Sequence, residues 1–264
     1  MDASESPVLV DIDGAVATVR FNRPERMNTF VPELGARFLA VIESIGARDD
    51  IRVVVVTGAG RAFSAGGDLT DGLGALLGPE DQRYSRLRDA VRAVELLRTL
   101  PQVTVAAVNG ACAGAGLSYA LACDLRVASA RAVFATAFLD AGVSGDFGGV
   151  WFATRLLGAA RARELFLLGD RVNADDALRL GLVSRVYADD TFRGDVASLA
   201  QRLAERAPIA LSEIVRNLRD AEALDLAAYL DVETDRQVRA MSSEDAAEAA
   251  EAFFAKRPPR FTGR

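Results

Sequence analysis

Asp146 lies in the stretch AGVSGDFGGVWF, a lone carboxylate among glycines with Phe147, Trp151 and Phe152 close in sequence. A carboxylate in that setting can act as a general acid or base. Burial beside aromatic rings disfavours its charged form and lifts its pKa from about 3.9 toward the working range. The plainer reading is a turn aspartate, or the N-cap of a helix over VWFATRLL. Asp140 is the nearest rival carboxylate. The chain contains no histidine, so a Ser-His-Asp hydrolase is excluded and no base is at hand to make Ser118 a nucleophile. Cys112 and Cys123 are too few soft ligands for a zinc site in a chain without histidine, and read as two buried thiols in a reducing compartment.

A base needs something to hold the charge it creates, and two segments share a design suited to that. VVVVTGAGRAFSAGGD and VTVAAVNGACAGAGLS each run an apolar strand into a turn of small residues. Glycine and alanine let a backbone approach a ligand and offer it N–H groups, and a helix starting near Gly114 adds its positive dipole end. Two such turns can aim two donors at one oxygen, an oxyanion hole in which each donor is worth about 3–4 kcal/mol of transition-state stabilisation. The plainer reading is tight helix–strand packing. The first turn also resembles a dinucleotide-binding loop. However, the G-x-G-x-x-G pattern breaks after Gly58 and Gly60, at Phe63, so a nicotinamide enzyme is set aside.

The elements that would hold these turns can be read from periodicity. VLVDIDGAVATVRF alternates around Asp13-Gly14 and predicts a β-hairpin over 8–21. NRPERMNTFV is a loop. Leu34, Phe38, Val41, Ile42 and Ile45 have helical spacing within 33–46. RVVVV and residues 103–108 are continuous apolar runs, as expected of parallel strands covered on both faces. TGAGRAFSAGGDLTDGLGALLG is a long glycine-rich connection, 80–99 a helix and DLRVAS a short strand. From Glu164 onward helical patterns dominate, apart from a β-like break at LVSRVY. The order predicts an α/β core over 1–200 and a helical region over 201–264.

With 264 residues, half of them hydrophobic, the chain can bury a large core. Its 31 basic and 37 acidic residues give a net charge of -6, which argues against nucleic acid as a partner. The uncharged run from Thr99 to Cys123 is long enough to span a bilayer, but its Pro101, Gln102, Asn109 and glycines read as a buried strand and helix. MDASESPVLV is acidic and polar, unlike a secretory signal, so the expected location is the cytoplasm.

RAFSAGGDL, followed about forty residues later by NGACAGAGLSYALACDLRVAS, resembles the crotonase (enoyl-CoA hydratase/isomerase) superfamily. NRPERMNTF, LFLLGDRVNADDALRLGLVSRV and EAFFAKRPPRF extend the resemblance over nearly the whole chain. It implies an α/β, crotonase-like spiral of ββα units with a C-terminal helical oligomerisation region, and homotrimers that pair into hexamers. It also implies an acyl-CoA thioester substrate whose carbonyl sits between the N–H groups of Gly67 and Ala115. CoA enters only as part of the substrate, and no metal or other cofactor is implied. Arg26 and Met27 would line the adenine side, with Ala65, Asp68 and Leu69 near adenine and pantetheine. Phe253 and Lys256 would reach a CoA, that of a neighbouring subunit included, though Lys256 also reads as part of a solvated basic tail. The loop from Thr70 to Gln82 would shape the acyl pocket.

The resemblance has one departure with consequences. Hydratases of the family use two glutamates, and their positions here carry Ser118 and Phe138, both expected to line the substrate pocket. Hydration wants one group to activate water and another to deliver a proton. GDFGG instead resembles the P-D-x-G-G stretch of the branch that isomerises enoyl- or epoxyphenylacetyl-CoA, where the aspartate is the acid/base, with Gly145 in place of proline. The expectation is an enoyl-CoA isomerase working through Asp146. A hydratase-like activity and an acyl-CoA binding protein without turnover are the alternatives.

Overall fold

The structure, a computed structural model, describes residues 6–68, 70 and 78–264. The hairpin forms as β1 (Val8–Asp13) and β2 (Val16–Phe21), antiparallel, with Val8 opposite Phe21. Every second residue of β2, Ala17, Val19 and Phe21, is buried, as period-two patterning demands. α1 (Pro32–Gly46) buries the five apolar residues at helical spacing, and Pro32 opens it where its missing N–H breaks no helical bond.

From there each segment repeats one unit: a long strand, a short strand and a helix. The units are β3 (Val53–Gly58), β4 (Ala62–Ser64) and α2 (Glu80–Thr99); β5 (Val103–Val108), β6 (Ala111–Ala113) and α3 (Ala115–Ala122); and β7 (Leu125–Ser129), β8 (Val133–Ala135) and α4 (Gly149–Leu168). The long strands join β1, β2 and β10 (Arg185–Tyr187) in a six-stranded sheet of order β1-β2-β3-β5-β7-β10, parallel from β2 onward. The short strands and β9 (Val172–Asn173) form a second sheet of order β4-β6-β8-β9. Each turn of chain adds one strand to each sheet, which is the spiral of ββα units.

Sequence patterning leaves the short strands unseen. Two or three residues are too few to show alternation, so AFS is hidden inside what reads as a glycine-rich connection. The helix of the third unit takes in the expected VWFATRLL and runs on past Glu164. α4 begins at Gly149 and is interrupted at Gly158 (φ 77°, ψ 159°), which splits its pattern into two short pieces.

The valine run of β3 divides between two cores. Val54 and Val56 face α1, α2 and α3, while Val53 and Val55 face the opposite side. That second face is covered by α6 (Phe192–Ala204) through Phe192, Val196, Leu199 and Ala200, and the expected division at residue 200 falls inside this helix. α5 (Ala174–Leu180) precedes it, and α7 (Pro208–Asp220), α8 (Leu226–Met241) and α9 (Glu244–Phe254) follow. Asp124 pins α7 to the sheet: it accepts from Arg219 at 3.2 Å and from the Thr104 N–H at 2.8 Å. Cys112 and Cys123 are buried and free. Among the described residues no helix is long and apolar enough to cross a membrane.

Candidate active site

Parallel pairing of β3 with β5 and of β4 with β6 sets the two small-residue turns side by side. Asn109 locks the corners together, accepting from the Gly58 N–H at 3.1 Å and donating to the Gly60 carbonyl at 3.1 Å. The turns touch backbone to backbone. A Cβ on Gly66 would lie 3.0 Å from the Ala113 oxygen and 3.5 Å from the Gly114 Cα. One on Gly116 would lie 2.5 Å from the Ser64 oxygen, so only glycine lets α3 sit this close to β4.

Two N–H groups emerge from this contact. Phe30 bridges the first turn, donating to the Gly66 carbonyl at 2.7 Å and accepting from the Asp68 N–H at 3.0 Å. Gly67, between them, therefore turns its own N–H to the other side, and it is exposed. Ala115 is the first residue of α3, after Gly114 (φ 52°, ψ −124°), and its N–H has no intrahelical acceptor. Among the described residues neither N–H has a partner.

Asp146 stands on the loop between β8 and α4, and α3 holds that loop. The Ser118 hydroxyl donates to the Asp146 main-chain carbonyl at 3.0 Å, and the Gly149 N–H donates to the same oxygen at 3.1 Å. A Cβ on Gly149 would come 2.5 Å from the Ser118 oxygen, so the start of α4 fits only a glycine there. Ser118 is thus a strut under Asp146, consistent with the absence of any base to activate it. Nor does Asp146 cap α4: the N-cap is Gly148, with no side-chain cap bond. Its Oδ1 is buried without a hydrogen-bond partner among the described residues, and burial pushes its carboxyl up to about 6. Phe147 beside it adopts φ 47°, a left-handed conformation uncommon outside glycine. Asp140 is exposed on the same loop.

Aromatic rings wall this space. Phe30 stacks on Tyr119 at 4.6 Å between centroids, and Phe147 lies 5.2 Å from Tyr119. Phe138 is buried, stacked on Phe166, and lies 3.9 Å from a Cβ built on Gly114 and 3.8 Å from one built on Gly145. It therefore wedges between the second small-residue turn and the loop of Asp146. Tyr119 escaped the sequence reading, and only its position directly after Ser118 hinted at a part in the site. It is buried to 1 % exposure, and its hydroxyl has no partner among the described residues.

The NRPERMN loop closes over the first turn. Met27 takes φ 51°, and its carbonyl accepts from the Ala65 N–H at 3.0 Å. Asp68, expected near the adenine and pantetheine, has its buried carboxylate bonded within the protein. Oδ2 accepts from Thr29 at 3.0 Å and Arg23 at 3.3 Å, and Oδ1 from the Thr70 hydroxyl at 2.6 Å and its N–H at 3.1 Å. The Thr70 hydroxyl, with help from Thr29 and Arg26, holds that carboxyl well below the usual carboxylate range. Asp68 ties the loop down, and Arg23 and Thr29 are its unforeseen partners. Arg26 is half-exposed and donates to the Thr70 hydroxyl at 2.7 Å. Leu69 and residues 71–77, which include most of the loop expected to shape the acyl pocket, lie outside the described residues. Phe253, 78 % exposed, and Lys256 stand at the end of α9, which packs on α8. Among the described residues no group of His, Cys, Asp and Glu could hold a metal ion.

The sequence pattern of the family described as Enoyl-CoA hydratase/isomerase matches residues 11–264. The chain is 38 % identical to the 1,2-epoxyphenylacetyl-CoA isomerase of Escherichia coli (strain K12) over 258 residues, covering 97 % of this chain and 98 % of that protein. It is 34 % identical to a 4-chlorobenzoyl coenzyme A dehalogenase of Arthrobacter sp over 218 residues, covering 81 % and 78 %. Its fold is similar to the crystal structure of an enoyl-CoA hydratase from Polaromonas sp. JS666, with a TM-score of 0.91 at 32 % identity over 97 % of this chain and 99 % of that one.

Proposed function

The chain belongs to the enoyl-CoA hydratase/isomerase family, and from that premise we propose that it is an enoyl-CoA isomerase with Asp146 as its single acid/base. The observation that carries this reading is the Asp146 carboxyl. It is half-buried, with one oxygen unpartnered and a pKa lifted to about 6, on a loop strapped to the helix whose first N–H faces the site. A base of that strength is ionised at neutral pH yet basic enough to accept a proton.

The thioester carbonyl of a 3-enoyl-CoA lies between the Gly67 and Ala115 N–H groups. Asp146 takes a proton from Cα, and the C–H electron pair moves into the conjugated system as a dienolate. The two N–H groups hold the negative oxygen. Asp146 then returns the proton to Cγ and the double bond settles at C2–C3. One proton leaves and one returns, so a single carboxylate suffices and no further cofactor is needed. Hydration asks for two groups, and the positions that would supply them carry a serine engaged with a main-chain carbonyl and a buried phenylalanine. Arg26, Met27, Ala65 and Leu69 are proposed to border the CoA.

We extend the proposal to a trimer or a pair of trimers. α8 has no buried side chain and exposes Leu226, Leu230, Val238 and Met241, while α9 exposes Phe253 and Phe254. A second copy covering this apolar surface would bring Phe253 and Lys256 to a neighbouring subunit's CoA.

The test follows the ultraviolet absorbance of the conjugated thioester after addition of trans-3-hexenoyl-CoA, with Asp146→Asn as control. A rise that vanishes in the variant is expected. A rise that persists in the variant removes the base assignment. No rise despite measurable acyl-CoA binding, with no hydration of a 2-enoyl-CoA either, points to a binding protein.

A further inference from the structure

α3 makes two consecutive contacts with the Asp146 loop. Ser118 holds the Asp146 main chain at 3.0 Å, and the next residue, Tyr119, lays its ring 5.2 Å from that of Phe147. The rest of the Tyr119 cage is hydrocarbon: Phe30 at 4.6 Å, Phe38 at 5.3 Å and Phe21 at 6.2 Å between centroids. Tyr119 Oη and Asp146 Oδ1 are both buried, and neither has a partner among the described residues. A phenylalanine would fill the same cage without leaving a hydroxyl unsatisfied, and an unsatisfied buried donor is destabilising. The hydroxyl therefore calls for an acceptor, and the Asp146 carboxylate is close enough for its charge to act on that hydroxyl.

We propose that Tyr119 is a positioning residue of the site: its O–H donates to one oxygen of the ionised Asp146 carboxylate and leaves the other oxygen to take the substrate proton. The inference rests on the reading of Asp146 as the base. The proposal asks for a turn of the Asp146 carboxyl toward α3, which would give each orphaned atom a partner. Tyr119 keeps its own proton throughout, because burial and the negative charge of Asp146 both raise its pKa. It thus acts as a fixed neutral donor and not as a relay. Among the described residues no other titratable group shifts the Asp146 carboxyl. α4 begins there with Gly149 and Val150, the loop before α1 brings Phe30, and Asp140 on the same loop is exposed. Burial is the cause of the raised Asp146 pKa, and no charged neighbour contributes.

A donor to the ionised form favours it and lowers its pKa, so removing the donor raises it. Tyr119→Phe keeps the ring and the packing. In this variant the acidic limb of kcat/KM is expected to move up by about one pH unit, so that the rate falls about fivefold near pH 6 and less than twofold at pH 8. KM is expected to stay unchanged, because Tyr119 is buried to 1 % exposure behind Phe30 and Phe147. A second measurement does not depend on turnover: the pH titration of the Asp146 carboxyl by NMR in protein carrying ¹³C at aspartate Cγ, the signal being assigned by its loss in Asp146→Asn. The same upward shift is expected in the ligand-free protein. An unchanged midpoint in the NMR titration overturns the proposal, and so does a rate loss uniform over the pH range. If Asp146→Asn retains full activity, the base assignment falls, while the NMR titration still reads whether Tyr119 bonds Asp146.

Discussion

At the scale of the residue, the carboxyl proposed as the base also places a burden on stability. The Asp146 pKa is raised by burial to about 6, above its unfolded value of 3.8, so the folded protein binds this proton more tightly than the unfolded chain does. Its favourable contribution is complete below pH 3.8 and is lost as the pH rises through about 6. Asp146→Asn, which cannot ionise, is therefore expected to be more stable than the wild type at pH 7 by about 3 kcal/mol and equal to it near pH 3.5. Denaturant unfolding at the two pH values checks this. The same variant is expected to lose roughly 10²–10⁴-fold in turnover of 3-enoyl-CoA. In the wild type kcat/KM should rise with pH through a midpoint near 6, as the base ionises. Stability and activity thus move in opposite directions with pH and with mutation, the pattern of a group retained for function.

At the scale of the element, the two turns work only because two strand pairs and one helix bring backbones into contact. Gly116 is the tightest point on α3, since any Cβ there meets the Ser64 oxygen at 2.5 Å. Gly116→Ala is expected to force α3 away from β4, lowering stability by about 1–3 kcal/mol. It should also misalign the Ala115 donor from the Gly67 donor, with a fall of about 10²-fold or more in kcat. Thermal unfolding and steady-state kinetics check the two halves of this expectation. At the first turn, Asp68→Ala leaves Arg23, Thr29 and Thr70 without their common acceptor. The loop over 23–30 then loosens, and KM for acyl-CoA is expected to rise several-fold with a smaller change in kcat, as substrate titrations would show.

At the scale of the whole molecule, the spiral buries the centre of its large sheet on both faces, and the C-terminal helices expose apolar surface. Leu230 lies on α8, and Phe254 near the end of α9 is 82 % exposed. A surface of that kind is expected where another protein surface packs. Sedimentation is expected to give a trimer or hexamer, and Leu230→Glu to shift it toward monomer. If Phe253 and Lys256 complete the CoA site of a neighbour, the monomeric variant should also bind acyl-CoA more weakly. A monomeric wild type would end the assembly proposal and leave the one-base chemistry untouched.

Much of this was present in the order of the residues. Long apolar runs such as VVVV of β3 and VTVAAV of β5 can only be strands covered on both sides, and the five apolar residues of α1 repeat at helical spacing. The glycine-rich turns and the carboxylate in SGDFGG announce themselves by composition, because close backbone approach and a lone charge among aromatics are local signals. Tertiary structure alone decided the rest. β4, β6, β8 and β9 exist because a spiral stacks them, since strands of two or three residues have no periodicity of their own. Asp68 is a lock of the first turn because Arg23, Thr29 and Thr70 converge on it from either side of a loop closure. Tyr119 reads in sequence as one more bulky residue of a buried helix. Its orphaned hydroxyl beside Asp146 is a fact of three-dimensional packing, where what matters is which partners a group lacks.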